Sequence, residues 1–162
     1  NNALLSAYWM FKNGLSGSSI AFFFALVTLP LVLFENKIGE LSSKLGFRFF
    51  FKYGFLGLSL IALILFFITN IWFQLGLIVL GSFFMSFIEP IQDTFFFKQI
   101  RKKDEEKYYP LFFTSIDIGS FLGKFLIAGF LLFLPNKYAY LLISLLMFFF
   151  TLMALRISKE KK

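Results

Sequence analysis

Five apolar runs of membrane-crossing length, each closed by a polar or turn-forming stretch, restrict this chain more than any other feature. They cover residues 18–35, 49–69, 72–97, 109–134 and 137–155. A helix crosses a hydrocarbon core with about 20 apolar residues. The runs are continuously apolar and not alternating, so they predict helices and not a β-barrel. Residues 2–12 form a further apolar piece, too short to cross alone, which we read as a partial span. Asn70 marks a turn before Trp72, and Leu134-Pro135-Asn136 breaks one helix before the next. Tyr8, Trp9, Tyr108, Tyr109, Tyr138 and Tyr140 fall near the expected interfaces, where aromatic belts lie. The fold class is therefore all-α, a polytopic transmembrane bundle of one partial and five complete helices, forming one domain over residues 1–162 with a polar tail at 156–162.

Composition supports a membrane solvent. Hydrophobic residues make up 59% of the 162, against roughly 45–50% in soluble domains. A core this small has no room for 28 Phe with a wettable surface left over. With no Cys and no His, disulfides, thiol catalysis, haem-type ligation and most zinc chemistry fall away. We expect no catalytic residue, no metal and no cofactor. The chain also has no nucleotide-binding Gly-Lys-Ser/Thr loop, which disfavours an enzyme or a primary pump. Asn1 stands first and no basic region precedes a cleavage site, so the chain is expected to begin inside a longer reading frame.

The net charge of +7 follows from topology. Thirteen of the sixteen Lys and Arg fall on one side: around residues 37–52, in residues 98–107, and in the tail. The opposite side has Lys12 and Lys137, and Lys124 lies within a span. The positive-inside rule places both basic connections and the C-terminus in the cytoplasm, in a chain we expect in the plasma membrane. A basic face explained this way requires no nucleic acid.

Residues 39–48 read Gly-Glu-Leu-Ser-Ser-Lys-Leu-Gly-Phe-Arg between two spans, with two glycines seven apart and Lys44 and Arg48 about the second. Glycines suit a tight turn with positive φ and close helix approach. The cations suit helix C-termini and carboxylates. The stretch resembles the loop signature of the major facilitator superfamily, G-x-L-x-D-R-x-G-R-R. It matches at Gly39, Leu41, Lys44 (for Arg), Gly46 and Arg48, and departs at Ser43, where the family has Asp, and at Phe47. Gly14-Leu15-Ser16 sits like the short external turn after the first helix of a six-helix half. Residues 118–129 look like the glycine-rich face of the fifth helix, with Gly119 and Gly123 on one side.

The resemblance implies half of a major-facilitator fold, the C-terminal one, with an N-terminal six-helix half of the same polypeptide as partner. It implies a secondary transporter of a small solute that works by alternating access about a midplane cavity. Gly39, Lys44, Gly46 and Arg48 would then govern conformational equilibrium without touching substrate. The plainer alternative is that Lys44 and Arg48 only set topology.

Four ionisable residues lie within spans: Glu89, Asp93, Asp117 and Lys124. A charge at mid-bilayer costs about 2.5–3.5 kcal/mol on insertion scales, so each must be paired, watered or neutral. Asp117 and Lys124, seven apart, share a helix face about 10.5 Å along the axis. Pro90 removes a backbone donor and frees a carbonyl one turn earlier, near Ser86. Kinked backbone at membrane depth is tolerated where it lines a cavity. Glu89, Asp117 and Lys124 are thus candidates for the transport pathway, with Glu89 or Asp117 carrying a coupling proton in symport or antiport. The alternative is an interhelical polar clamp in a non-transporting scaffold or assembly subunit. Asp93 reads as a rim residue capped by Lys98, and Pro30 as a kink that permits rocking.

Overall fold

The computed structural model describes residues 10–135 and 137–157. Among them the chain is helical: α1 Gly17–Leu45, α2 Phe47–Phe67, α3 Ile71–Met85, α4 Glu89–Gln99, a 3-10 turn Lys102–Asp104, α5 Glu105–Phe133 and α6 Lys137–Ala154. Five segments are long and apolar enough to cross a membrane, with α3 and α4 together making one of them. Most of the expected partial span, and most of the polar tail, lie outside the described residues.

Helix α2 is the axis of the bundle. It packs most extensively on α6 and next on α3, while α1 lies along α3 and α4. The α2–α6 contact is tied at its centre by two serines. Ser59 Oγ donates to the Ser144 carbonyl at 2.9 Å, and Ser144 Oγ donates to the Ser59 carbonyl at 2.9 Å. Both residues are buried. In hydrocarbon, small polar residues that exchange such bonds hold helices together where apolar packing cannot.

The α2–α3 contact has a different cause. Gly54 and Gly57 leave a groove on α2 that Phe84 and Ile88 fill. A Cβ on Gly57 would overlap the Phe84 ring, and one on Gly54 would stand 2.8 Å from Ile88 Cγ1. The turn between these helices is sealed locally. Asn70 Oδ1 accepts from the Trp72 N–H at 2.9 Å as the N-cap of α3, and Gln74 Nε2 donates to the Ile68 carbonyl.

Two apolar clusters result. One joins Ile38, Phe47, Phe50, Phe51, Ile88, Ile91 and Ala154 at the end that carries most basic residues. The other, built on Met10, Phe23 and Leu75, lies towards the opposite end of α1 and α3. Helix α5 belongs to neither and has no buried residue.

Three expectations require correction. Residues 39–48 are not a loop, because α1 runs on to Leu45 and only Gly46 separates it from α2. The cause is tertiary: Ile38 and Ser42, one turn apart, are both buried, and Ser42 Oγ donates back to the Gly39 carbonyl at 2.7 Å. Gly39 is accordingly helical, and positive φ occurs at Gly46 (83°) and Gly14 (84°) only, among the described residues. The third span is not one kinked helix but two, interrupted at Ser86–Phe87–Ile88. Pro90 sits in the first turn of α4, where a missing N–H leaves no bond unmade. By contrast α1 continues through Pro30 without interruption.

Candidate functional site

Among the described residues, the interruption between α3 and α4 is where a membrane-spanning segment stops and restarts as two helices. Ser86, the C-cap of α3, donates its N–H to Ser82 O, and the next two N–H groups turn tightly onto Phe84 O and Met85 O. The Ser86 hydroxyl donates to Phe83 O at 2.7 Å. Ile91 and Gln92 then both donate to Ile88 O, which starts α4. Among the described residues no backbone N–H reaches the carbonyls of Ser86 and Phe87. The break is held rigidly: Ser86 and Ile91 are fully buried, and the ring of Phe87 packs edge-on against Phe50 (5.6 Å) and Phe83 (5.0 Å), which in turn meets Phe34 of α1 at 5.3 Å.

Glu89 opens α4 at this break and is half-buried. Glu35 is exposed on α1, the helix that packs along α4. One turn on, Asp93 holds Oδ1 buried without a hydrogen-bond partner among the described residues. Lys98, its expected cap, lays its ammonium over the Phe47 ring at 4.6 Å.

Asp117 and Lys124 lie elsewhere, exposed on α5. Among the described residues, Glu89, Asp117 and Lys124 form no hydrogen bond or ion pair with one another. Gly119 and Gly123, on the same helix, meet no neighbouring side chain or helix within 4 Å of the position a Cβ would take, among the described residues. The close helix approach expected there occurs instead at Gly54 and Gly57. Their Gly-x-x-Gly spacing was visible in the sequence, but nothing in it distinguished that pair from the glycines of α5. Ser59 and Ser144 were also not singled out, although a lone serine deep in each of two spans is the signal of a polar bond between helices.

The signature residues divide across the α1–α2 junction. Gly39 is exposed in open space within α1, and Lys44 is exposed in its last turn, where a cation meets the negative end of the helix dipole. Gly46 is at once the C-cap of α1 and the N-cap of α2, with its N–H donated to Ser42 O at 3.0 Å. Arg48 lies half-buried in the first turn of α2.

Long apolar helices, one of them broken beside a carboxylate, define a polytopic integral membrane protein. The chain matches the Major Facilitator Superfamily over residues 1–162 and belongs to that family. Its bundle is a half-fold of that architecture, and membership makes it a secondary transport protein and not an enzyme. No curated protein and no solved structure matches it.

Proposed function

We propose that the chain serves as the C-terminal half of a transporter that moves a small solute by alternating access, coupled to protons in symport or antiport. The break at Ser86–Ile88 carries the reading. Backbone carbonyls without donors are tolerated at membrane depth only where protein or a water-filled cavity surrounds them, and discontinuous helices mark binding sites in transporters. Glu89 at this break and Asp117 on α5 are the candidate proton carriers, and Lys124 is the candidate partner for an anionic group. Gly46, with Gly39, Lys44 and Arg48 about it, is the hinge region between α1 and α2. The N-terminal six-helix half is the proposed partner of α5, which buries no residue in this bundle and packs chiefly through Tyr109 and Phe112 near its start. The basic end faces the cytoplasm of the plasma membrane.

Proteoliposomes of the full-length protein, loaded with a pH-sensitive dye and offered sugars, amino acids and nucleosides in turn, test this. A solute-dependent proton flux should appear with the wild type. It should vanish with Glu89→Gln or Asp117→Asn while the variants stay monodisperse. Retained flux in both variants removes the coupling role. Loss of folding in both favours the interhelical clamp of a non-transporting scaffold.

A further inference from the structure

The basic end of the bundle is built as a single surface. The cluster around Phe47 ties the end of α1, the start of α2, the body of α4 and the end of α6 together. The Phe47 ring meets Phe95 at 5.5 Å and lies under Lys98. The α1–α2 hinge and the connection from α4 to α5 are therefore neighbours, although more than fifty residues separate them in sequence.

That connection carries three cations in a row. After the extended Ile100 come Arg101, Lys102 and Lys103, all exposed and none in an ion pair among the described residues. The acids of the same stretch, Asp104, Glu105 and Glu106, follow at the start of α5. There the positive end of the helix dipole favours them, while Arg101, Lys102 and Lys103 stand before the helix start. Immediately on the apolar side stands an aromatic shoulder. Phe96 stacks on Phe112 at 4.0 Å, Phe97 on Tyr109 at 5.8 Å, and Tyr109 leans on Phe113 at 4.6 Å. Tyr109 and Phe113 remain exposed.

Topology alone requires net positive charge on one side of the membrane. It does not require three consecutive exposed cations, none ion-paired among the described residues, above an exposed aromatic ledge. A ligand that uses both features has an anionic head and apolar tails. We propose that this corner binds an anionic phospholipid, with the phosphate held by Arg101, Lys102 and Lys103 and the acyl chains laid along Phe97, Tyr109 and Phe113. Free phosphate or a nucleic acid would use the cations and leave the ledge bare. The proposal rests on the orientation given above, which brings the corner to the anionic cytoplasmic leaflet.

Nanodiscs of the full-length protein, made with phosphatidylcholine alone or mixed with phosphatidylglycerol, provide the test, with retained lipid read by native mass spectrometry. Each engaged cation should favour phosphatidylglycerol by about fivefold. The triple variant Arg101→Gln/Lys102→Gln/Lys103→Gln should bring the preference close to parity. Tyr109→Ala/Phe113→Ala should weaken lipid retention without creating competition by inorganic phosphate. An unchanged preference in the triple variant overturns the proposal, as does equal displacement by inorganic phosphate, the mark of a free-anion site. Should the triple variant not fold, raising salt on the wild type must still reduce the preference, and a salt-independent preference refutes it. Sidedness is read separately by labelling Lys102→Cys in this cysteine-free chain. An external label would sink the orientation while leaving the lipid measurement intact.

Discussion

Gly57 offers the sharpest test of how the bundle positions its helix break. The Gly57→Ala methyl would enter the space held by the Phe84 ring, two residues before the break begins at Ser86. Overpacking of a filled contact costs about 1–3 kcal/mol. Removing a glycine from a helix interior returns about 1 kcal/mol. The net expectation is a loss of about 0–2 kcal/mol, which for a chain of this size lowers Tm by up to about 8 °C. Gly76→Ala is the control, since it lies in α3 with nothing within 4 Å of its Cβ position. It should gain the propensity term without the clash and raise Tm slightly. Heating detergent-solubilised protein and measuring the surviving monodisperse fraction by size-exclusion chromatography reads both. Gly57→Ala/Phe84→Leu should recover part of the loss, because a smaller and more flexible side chain leaves room for the new methyl. If Gly57→Ala is as stable as Gly76→Ala, or if Phe84→Leu adds to its effect instead of relieving it, the groove is not the determinant of the α2–α3 contact.

Two further perturbations follow the same logic. Gly46→Ala forces a Cβ into φ 83°, ψ 149°, a region that costs about 1–3 kcal/mol for other residues; Gly39→Ala, in open helix, should stabilise by about 0.5–1 kcal/mol, so opposite Tm shifts are expected from two glycines of one motif, and equal shifts would show that Gly46 is not a strained hinge. Ser59→Ala and Ser144→Ala each remove one of the reciprocal bonds at about 0.6 kcal/mol, and 1.7 at most; unfolding of the two single variants and the double should show nearly additive losses, whereas a double variant no worse than either single one would mean that the two bonds act as one unit.

The spans were legible because their cause is local: a run of apolar residues long enough to cross is helical wherever it sits. What escaped the sequence was set by contacts between helices. The extension of α1 to Leu45 depends on burial of Ile38 and Ser42 against neighbours that no local pattern reveals. Glu89-Pro90 was conspicuous, yet proline signals both a kink and a helix start. Only the packing of Phe84 and Ile88 into the α2 groove decides that the chain stops and restarts there. The same limit separates Gly54 and Gly57, which pack, from Gly119 and Gly123, which do not. Lipid tails are as apolar as leucine, so composition does not tell a lipid-facing side from a partner-facing one.

Helix α5 shows where that ambiguity can be resolved by charge. Asp117 and Lys124 lie within about 20° of each other around the helix, while Gly119 and Gly123 lie together about 130° away. Exposing the charged side to hydrocarbon would cost about 2.5–3.5 kcal/mol per ion, so that side requires water or polar protein. The glycine side has no such constraint and suits a close helix partner. On the proposed function, then, α5 stands between the cavity and the N-terminal half. Gly119→Leu/Gly123→Leu should change the thermal stability of this bundle by no more than about 0.5 kcal/mol, as surface substitutions do. The same variant should reduce co-purification of the two halves when they are expressed as separate chains. Asp117→Asn should leave that association intact, because its face is turned elsewhere. A glycine variant that unfolds the bundle by itself, or that co-purifies as well as the wild type, would refute this division of the helix.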